Sequence, residues 1–491
     1  MKNIIFTILI FTVIGTNGQS FDDFKKQTDA KFTSFKDASN AKFEAFKKVS
    51  WQKFETLKLE HFAFESKPYE IPEAPVQTDP IPPTPIFNED IEPVVVPDPL
   101  PNNDIISRLD PEFKSNLIKI ADYCNYKVEV DYFDVPIPFY YHEFNFKLDS
   151  INGIHFNKAV NQIQKFDKEI NKIILYQLKN YVALMKLNDW ALIQLAFKTG
   201  QAVFKNDNKA RVFAWAMLSL MNYDCKLAFT PEGVLAIVVQ ANAELCWEYR
   251  LIIDENAYFF ATLSNDEYQL VLEQSVYTYD ENPFNASEPF SILFDKAPSI
   301  NTKLTEKARS TRTHEFNMAC DVSYVKMLET FPKFSHEIYY SIPLSEKTLQ
   351  HTRKQIMPYI KGKSEYDAVS FILNFVQFGF PYQFDKIQFG VGDRPQAAEE
   401  LFYYPYSDCE DHSALFAQLV KEFVGIEVAG ILYRTHATTA VKFSGPQNSG
   451  EHLPAPFQDF IVCDPTYIGA EIGLSMPQFR GVTPEKIWKV K

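Results

Sequence analysis

The chain has 491 residues, 46% hydrophobic and 15% aromatic, with a formal net charge of −14. That length predicts two or three domains with ample apolar material for large cores. The acidic balance excludes general nucleic-acid binding, which calls for a basic patch. No Gly-rich phosphate loop is present and no Cys/His cluster has metal-ligand spacing, so no cofactor or metal is expected.

Residues 1–18 read as a secretory signal peptide. Lys2 supplies the positive charge, Ile4 to Ile14 the apolar run, and Gly15 to Gly18 the small or polar exit. The run is well under a spanning length, and no later segment is long and apolar enough to cross a membrane. The expectation is a secreted or periplasmic protein. Six cysteines follow (Cys124, Cys225, Cys246, Cys320, Cys409 and Cys463), too widely spaced for a disulfide scaffold.

Residues 19–64 form an expected helical stalk. Phe21 and Phe24, Phe32 and Phe35, Phe43 and Phe46, Phe54 and Leu57 recur every eleven residues. That period is about 3.67 residues per turn, so the pairs make one slowly drifting apolar stripe. A stripe so narrow on a charged helix calls for a cover: a second copy, another protein, an envelope surface or the body of the same chain. A plain spacer or coiled coil is the other reading. Residues 65–103, with prolines from Pro68 to Pro101, are an extended linker.

The remaining chain divides at about 300. Residues 104–300 carry helical patterns at Phe156–Leu187, Trp190–Phe204 and Ala210–Leu220, then a run at Asn222–Ala228 laid out like Gly425–Ile431, and strand-like runs at Glu244–Asp254 and Ala257–Leu263. This helix-then-strand layout matches a stretch some two hundred residues later: Phe213 answers Phe416, Ala214 answers Ala417, and Leu220 answers Phe423. In that offset Asn206 stands at Cys409 and Gly233 at His436. Either the first half is a degenerate second copy, or it is an unrelated α+β domain of similar layout.

Residues 301–491 are expected to be α+β, with a helix packed on an antiparallel sheet. Glu315–Leu328 and His336–Pro343 alternate like paired strands, and Ser345–Ile360 and Glu365–Phe378 read as helices. Ser407 with Glu410, or Asp408 with Asp411, forms a capping box. Under either register Cys409 lies in the first turn of a helix whose apolar face is Leu415, Phe416, Leu419, Val420 and Phe423, stopped at Gly425. A thiol at a helix start is expected to favour thiolate. Strands are expected at Ile426–Tyr433, from His436 to Phe443, and at Phe460–Cys463, ended by Asp464-Pro465.

A thiol opening a helix, an imidazole opening one strand and a carboxylate closing another make a nucleophile, a base and an orienter. His412 and His452 are rival bases. The backbone amide of Cys409, or a side chain from Gln388, Gln396 or Tyr404, is a candidate oxyanion donor.

From about Ser364 to Thr466 the chain resembles the transglutaminase-like, papain-related superfamily of cysteine enzymes, in its secreted bacterial form. The resemblance rests on the Tyr366–Phe378 helix, Tyr382, Asp408-Cys409-Glu410-Asp411, Gly425-Ile426-Glu427-Val428, His436-Ala437-Thr438-Thr439-Ala440-Val441 and Asp464-Pro465-Thr466. Two positions depart from the pattern: Ser407 stands where glycine is usual, and Thr438 where an aromatic often follows. The resemblance implies Cys409 as nucleophile, His436 as base and Asp464 as orienter. It also implies amide bonds as substrates, in protein, peptide or cell-wall peptide, through a thioester acyl-enzyme. Resolution by water makes a peptidase or amidase, the favoured outcome; resolution by an amine makes a transferase. The alternative of another class is a non-catalytic envelope scaffold with a vestigial fold.

Overall fold

The computed structural model describes residues 108–491 apart from 143–145, 166–167, 231–232, 242–249, 262–275, 280, 295, 301–302, 332–333, 391–393 and 446–449. The expected signal peptide, stalk and proline-rich linker lie outside the described residues.

The first half opens with α1 (Pro111–Tyr123) and the hairpin β1 (Tyr126–Tyr132)–β2 (Val135–Tyr141). Helices α2 (Gly153–Lys165), α3 (Lys168–Met185), α4 (Asp189–Phe204) and α5 (Asp207–Leu220) follow. Strands β3 (Cys225–Phe229), β4 (Leu235–Gln240), β5 (Arg250–Ile253), β6 (Asn256–Ala261) and β7 (Tyr277–Tyr279) form one antiparallel sheet, ordered β5-β6-β4-β3-β7. The expected strand Glu244–Asp254 is described only from Arg250 onward.

The second half begins with the hairpin β8 (Thr305–Ser310)–β9 (Glu315–Cys320), then α6 (Val322–Leu328), α7 (His336–Ser341), α8 (Glu346–Ile360), α9 (Glu365–Gly379), α10 (Asp385–Gln388), α11 (Glu400–Tyr403) and α12 (Cys409–Phe423). Strands β10 (Glu427–Tyr433), β11 (His436–Lys442), β12 (Ile461–Cys463) and β13 (Lys486–Lys489) form an antiparallel sheet ordered β12-β11-β10-β13. The fold class is therefore α+β. The paired strands expected across 315–328 and 336–343 are a correction. Only Glu315–Cys320 is a strand, because the Asp321 side chain caps Tyr324 N and turns the chain into α6. His336–Ser341 is a short helix behind Ser335.

Apart from the extra edge strand β5, the two sheets correspond strand for strand: β6-β4-β3-β7 against β12-β11-β10-β13. Each follows a helix, α5 or α12, and each half opens on a two-stranded hairpin. The buried apolar side chains of both halves run together into one cluster, from Leu109 to Trp488.

The local reasons for α12 are legible. Leu415, Phe416, Leu419 and Val420 are all buried, and each such side chain removed from water contributes about 1.5–3 kcal/mol. The helix packs on β10 and β11, and Gly425 ends it at φ 77°, where its amide reaches Val420 O at 3.1 Å. The sheet is covered on both faces. Val428, Val441 and Cys463 join the main core, while Ala429, Ile431, Tyr433, Ala440 and Val462 form a second cluster with Leu453 and Phe460.

Candidate active site

Cys409 is the first residue of α12. The capping box is the Asp408/Asp411 one: the Asp408 side chain accepts from the Asp411 amide, and Asp411 Oδ2 accepts from the Asp408 amide at 3.0 Å. The Ser407/Glu410 register is not formed, because Asp408 takes the cap position and Ser407 Oγ sits 3.3 Å from His412 Nδ1.

His436 opens β11, opposite Tyr433 across the tight turn from β10. Asp464 follows β12, which is held to β11 by the Thr439–Cys463 pair and by the Thr439 hydroxyl on the Cys463 carbonyl. This ladder brings His436 Nε2 to 2.9 Å from Asp464 Oδ2, both residues buried. The other Asp464 oxygen accepts from Thr466 N (3.0 Å), Thr466 Oγ1 (2.9 Å) and Tyr467 N (3.2 Å). Burial opposes ionisation of Asp464. The pairing with His436 and these hydrogen bonds outweigh it and hold the carboxyl below its usual range.

The Cys409 thiol lies beside this pair. The Ala437 amide, next after His436, acts to ease ionisation of the Cys409 thiol, and one turn along α12 the Ser413 hydroxyl donates to Ala437 O at 3.3 Å. Cys409 is partly exposed, so solvent reaches its edge. Its Sγ, however, donates to Glu410 Oε2 at 3.0 Å, and no hydrogen bond joins it to the imidazole.

The expectation of a thiolate is corrected here. Burial, then the charges of Glu410 and Asp408, push the Cys409 thiol well above its ordinary range. One favourable helix end is outweighed by carboxylates in near contact. Asp385 from α10, Asp408, Glu410 and Asp411 crowd this corner. Burial and its neighbours' charges raise Asp408, whereas Glu410 is held down despite its own burial by hydrogen bonds from Asp408 and Cys409. Oxygens of Asp385, Asp408 and Asp411 lie within 4.8 Å of one another. Asp411 is already saturated by the amides of Asp408 and Gln396 and by Gln396 Nε2, and this set reads as a capping network.

No family model, curated protein or solved structure matches the chain. The rival bases are tied up. Both ring nitrogens of His412 face carbonyls, Asp408 O at 2.7 Å and Phe380 O at 2.9 Å; exposed His452 bonds Gln458 O at 2.9 Å. The side chains offered as oxyanion donors are also engaged, a second correction. Gln388 Nε2 donates to Tyr406 O at 3.0 Å, Gln396 Nε2 to Asp411 Oδ2 at 2.7 Å, and the Tyr404 hydroxyl to Glu329. The Cys409 amide remains: it opens the helix and has no intrahelical acceptor.

Sequence reasoning missed three residues. Phe479, on a short turn at Pro477–Phe479, stacks on the His436 ring with centroids 4.8 Å apart and planes at 16°. Buried Gln377 donates to the carbonyls of Asp464 (3.0 Å), Tyr467 (2.9 Å) and Ala470 (3.1 Å), fixing the turn that carries Asp464. A lone amide among Ile372, Leu373, Phe375 and Val376 was the available signal for it. Glu410 is the third.

Proposed function

We propose that this chain is a cysteine enzyme acting on amide bonds, with Cys409, His436 and Asp464 in a transglutaminase-like arrangement. The observation that carries the reading is the buried 2.9 Å bond from His436 Nε2 to Asp464, formed beside a thiol at a helix start. With Nε2 held as donor, Nδ1 is left with the lone pair that a base needs.

Because the resting thiol is protonated, attack and proton transfer go together. Sγ forms a bond to the amide carbonyl carbon while its proton passes to His436 Nδ1, and the Cys409 amide faces the developing oxyanion. Collapse expels the amine, which takes the proton from His436 and leaves a thioester. Water, deprotonated by His436, then adds to the thioester carbonyl; the C–S bond breaks, the sulfur takes the proton back from His436, and the acid is released. This is peptidase or amidase chemistry; an amine in place of water gives acyl transfer by the same trio. A peptide or protein substrate and a secreted or periplasmic location complete the reading.

We read the first half as a second such fold without the machinery. Its matching strand order supports this. The expected alignment is corrected by the element starts: Asn206 caps α5 as Asp408 caps α12, so Asp207 rather than Asn206 stands at Cys409, and Leu235 rather than Gly233 opens β4 as His436 opens β11. A scaffold role for the whole chain is the second reading, favoured by the thiol's bond to Glu410 rather than to His436. Incubation with peptide, cell-wall and amine-donor panels decides. Turnover by the wild type and none by Cys409→Ala is expected, and equal behaviour of the two overturns the enzyme reading.

A further inference from the structure

We propose that Glu410 is a guard on the nucleophile: in the resting protein its carboxylate holds the Cys409 proton and turns Sγ away from His436, and substrate must break this contact before attack. The inference rests on the reading of Cys409 as nucleophile, but its test does not require turnover.

The geometry is specific. Sγ lies 3.0 Å from Glu410 Oε2, and Glu410 is itself buried. The acceptor thus has little freedom to leave. Sγ hangs from a single rotatable bond, so a change of rotamer is the motion by which it would leave Glu410 for the imidazole of His436. Glu410 touches the reacting atom, yet its anion beside the sulfur opposes thiolate formation. A residue so placed hinders the chemistry while the site is empty. A partly exposed thiol held protonated resists alkylation and oxidation, since the thiolate is the reactive form. The other groups facing this corner are the cap residue Asp408, Asp411 and His412 on α12, Asp385 on α10, His336 and Tyr340 on α7, and the His436–Asp464 pair beside the thiol.

The test is iodoacetamide labelling of the full chain across pH, with Cys409 read by mass spectrometry. Glu410→Gln keeps an acceptor and removes the charge. It should lower the pH of half-maximal labelling by about one to three units and speed labelling at neutral pH at least about tenfold. Glu410→Asp should stay slow. An unchanged or higher midpoint in Glu410→Gln overturns the guard. A second measurement uses the unaltered protein: infrared spectroscopy should show a hydrogen-bonded S–H band that is absent from Cys409→Ala. Thiolate absorbance at neutral pH with no such band overturns the proposal without any variant. If the guard behaviour holds but no substrate is turned over, the enzyme reading fails and the guard stands. If turnover is found and the midpoint does not move, the guard alone fails.

Discussion

Asp464→Asn is the perturbation that isolates the imidazole. In the wild type Oδ2 accepts from His436 Nε2, and Oδ1 is fully occupied by Thr466 and Tyr467. Those three donors hold the asparagine carbonyl at the Oδ1 place, so its amide nitrogen must face Nε2. Two donors cannot share that contact. The ring then carries its proton on Nδ1, the atom needed as base. Losing a general base costs about 10²–10⁴-fold, or about 3–5 kcal/mol of barrier. The stability change should be smaller: about 1.5–3 kcal/mol is lost with a charge-assisted bond, partly offset by no longer burying a charge. The assay pairs initial rates on a substrate found by the panels with nitrogen NMR of the ring. There is a pH signature as well. Asp464 titrates below its ordinary range, so its stabilisation is present above the unfolded pKa and is lost as pH falls through the lower folded pKa. The variant should lack that acid arm in denaturation. A wild-type rate with Nδ1 unprotonated would refute the tautomer argument.

Three further outcomes are expected. Cys409→Ala and His436→Ala should each abolish turnover, and the double variant should be no worse than either; additive losses in rate would mean they do not act as a unit. Glu399 is buried and accepts from the Asp321 and Ser345 amides and the Ser345 and Thr348 hydroxyls, and burial raises its carboxyl to about 7 from 4.5. The folded state therefore binds the extra proton: this stabilisation is full below about pH 4.5 and is lost as pH rises through about 7. It amounts to on the order of 3 kcal/mol. Urea unfolding at both ends of that window should show the loss in the wild type and not in Glu399→Gln; parallel curves would sink the assignment. Gly430→Ala places a Cβ 2.3 Å from Trp488 Cε2 and Cζ2. It should destabilise by about 1–3 kcal/mol through overpacking, visible as a shifted unfolding midpoint and altered Trp fluorescence.

Much of the second half was readable because its signals are local. The apolar spacing of Leu415, Phe416, Leu419 and Val420 sets α12, and the branched runs set β10 and β11. His336–Ser341 was misread because six residues are too few to show a helical period, and Tyr339-Tyr340 looks like strand. The thiol's protonation was hidden for another reason. Asp385 reaches the corner through the bridge between Tyr382 and Ser407, and neither that approach nor the burial of Glu410 leaves a mark in spacing. Gln396 looked free for an oxyanion because nothing local says that Asp411 claims it.

The two halves differ most in what joins the paired helices. Lys205 and Asn206 alone link α4 to α5, whereas residues 380–408 stand between α9 and α12. That inserted stretch brings Asp385, Gln396 and Asp408 to the capping network around Asp411, and exposes Phe384, Ile387, Tyr403 and Tyr406. It contributes nothing to the β10–β11–β12 ladder that sets the distance from imidazole to carboxylate. On the proposed reading, recognition and chemistry would reside on separately alterable parts of the chain: changes within the insertion would alter which molecules reach the sulfur and leave the imidazole–carboxylate geometry untouched.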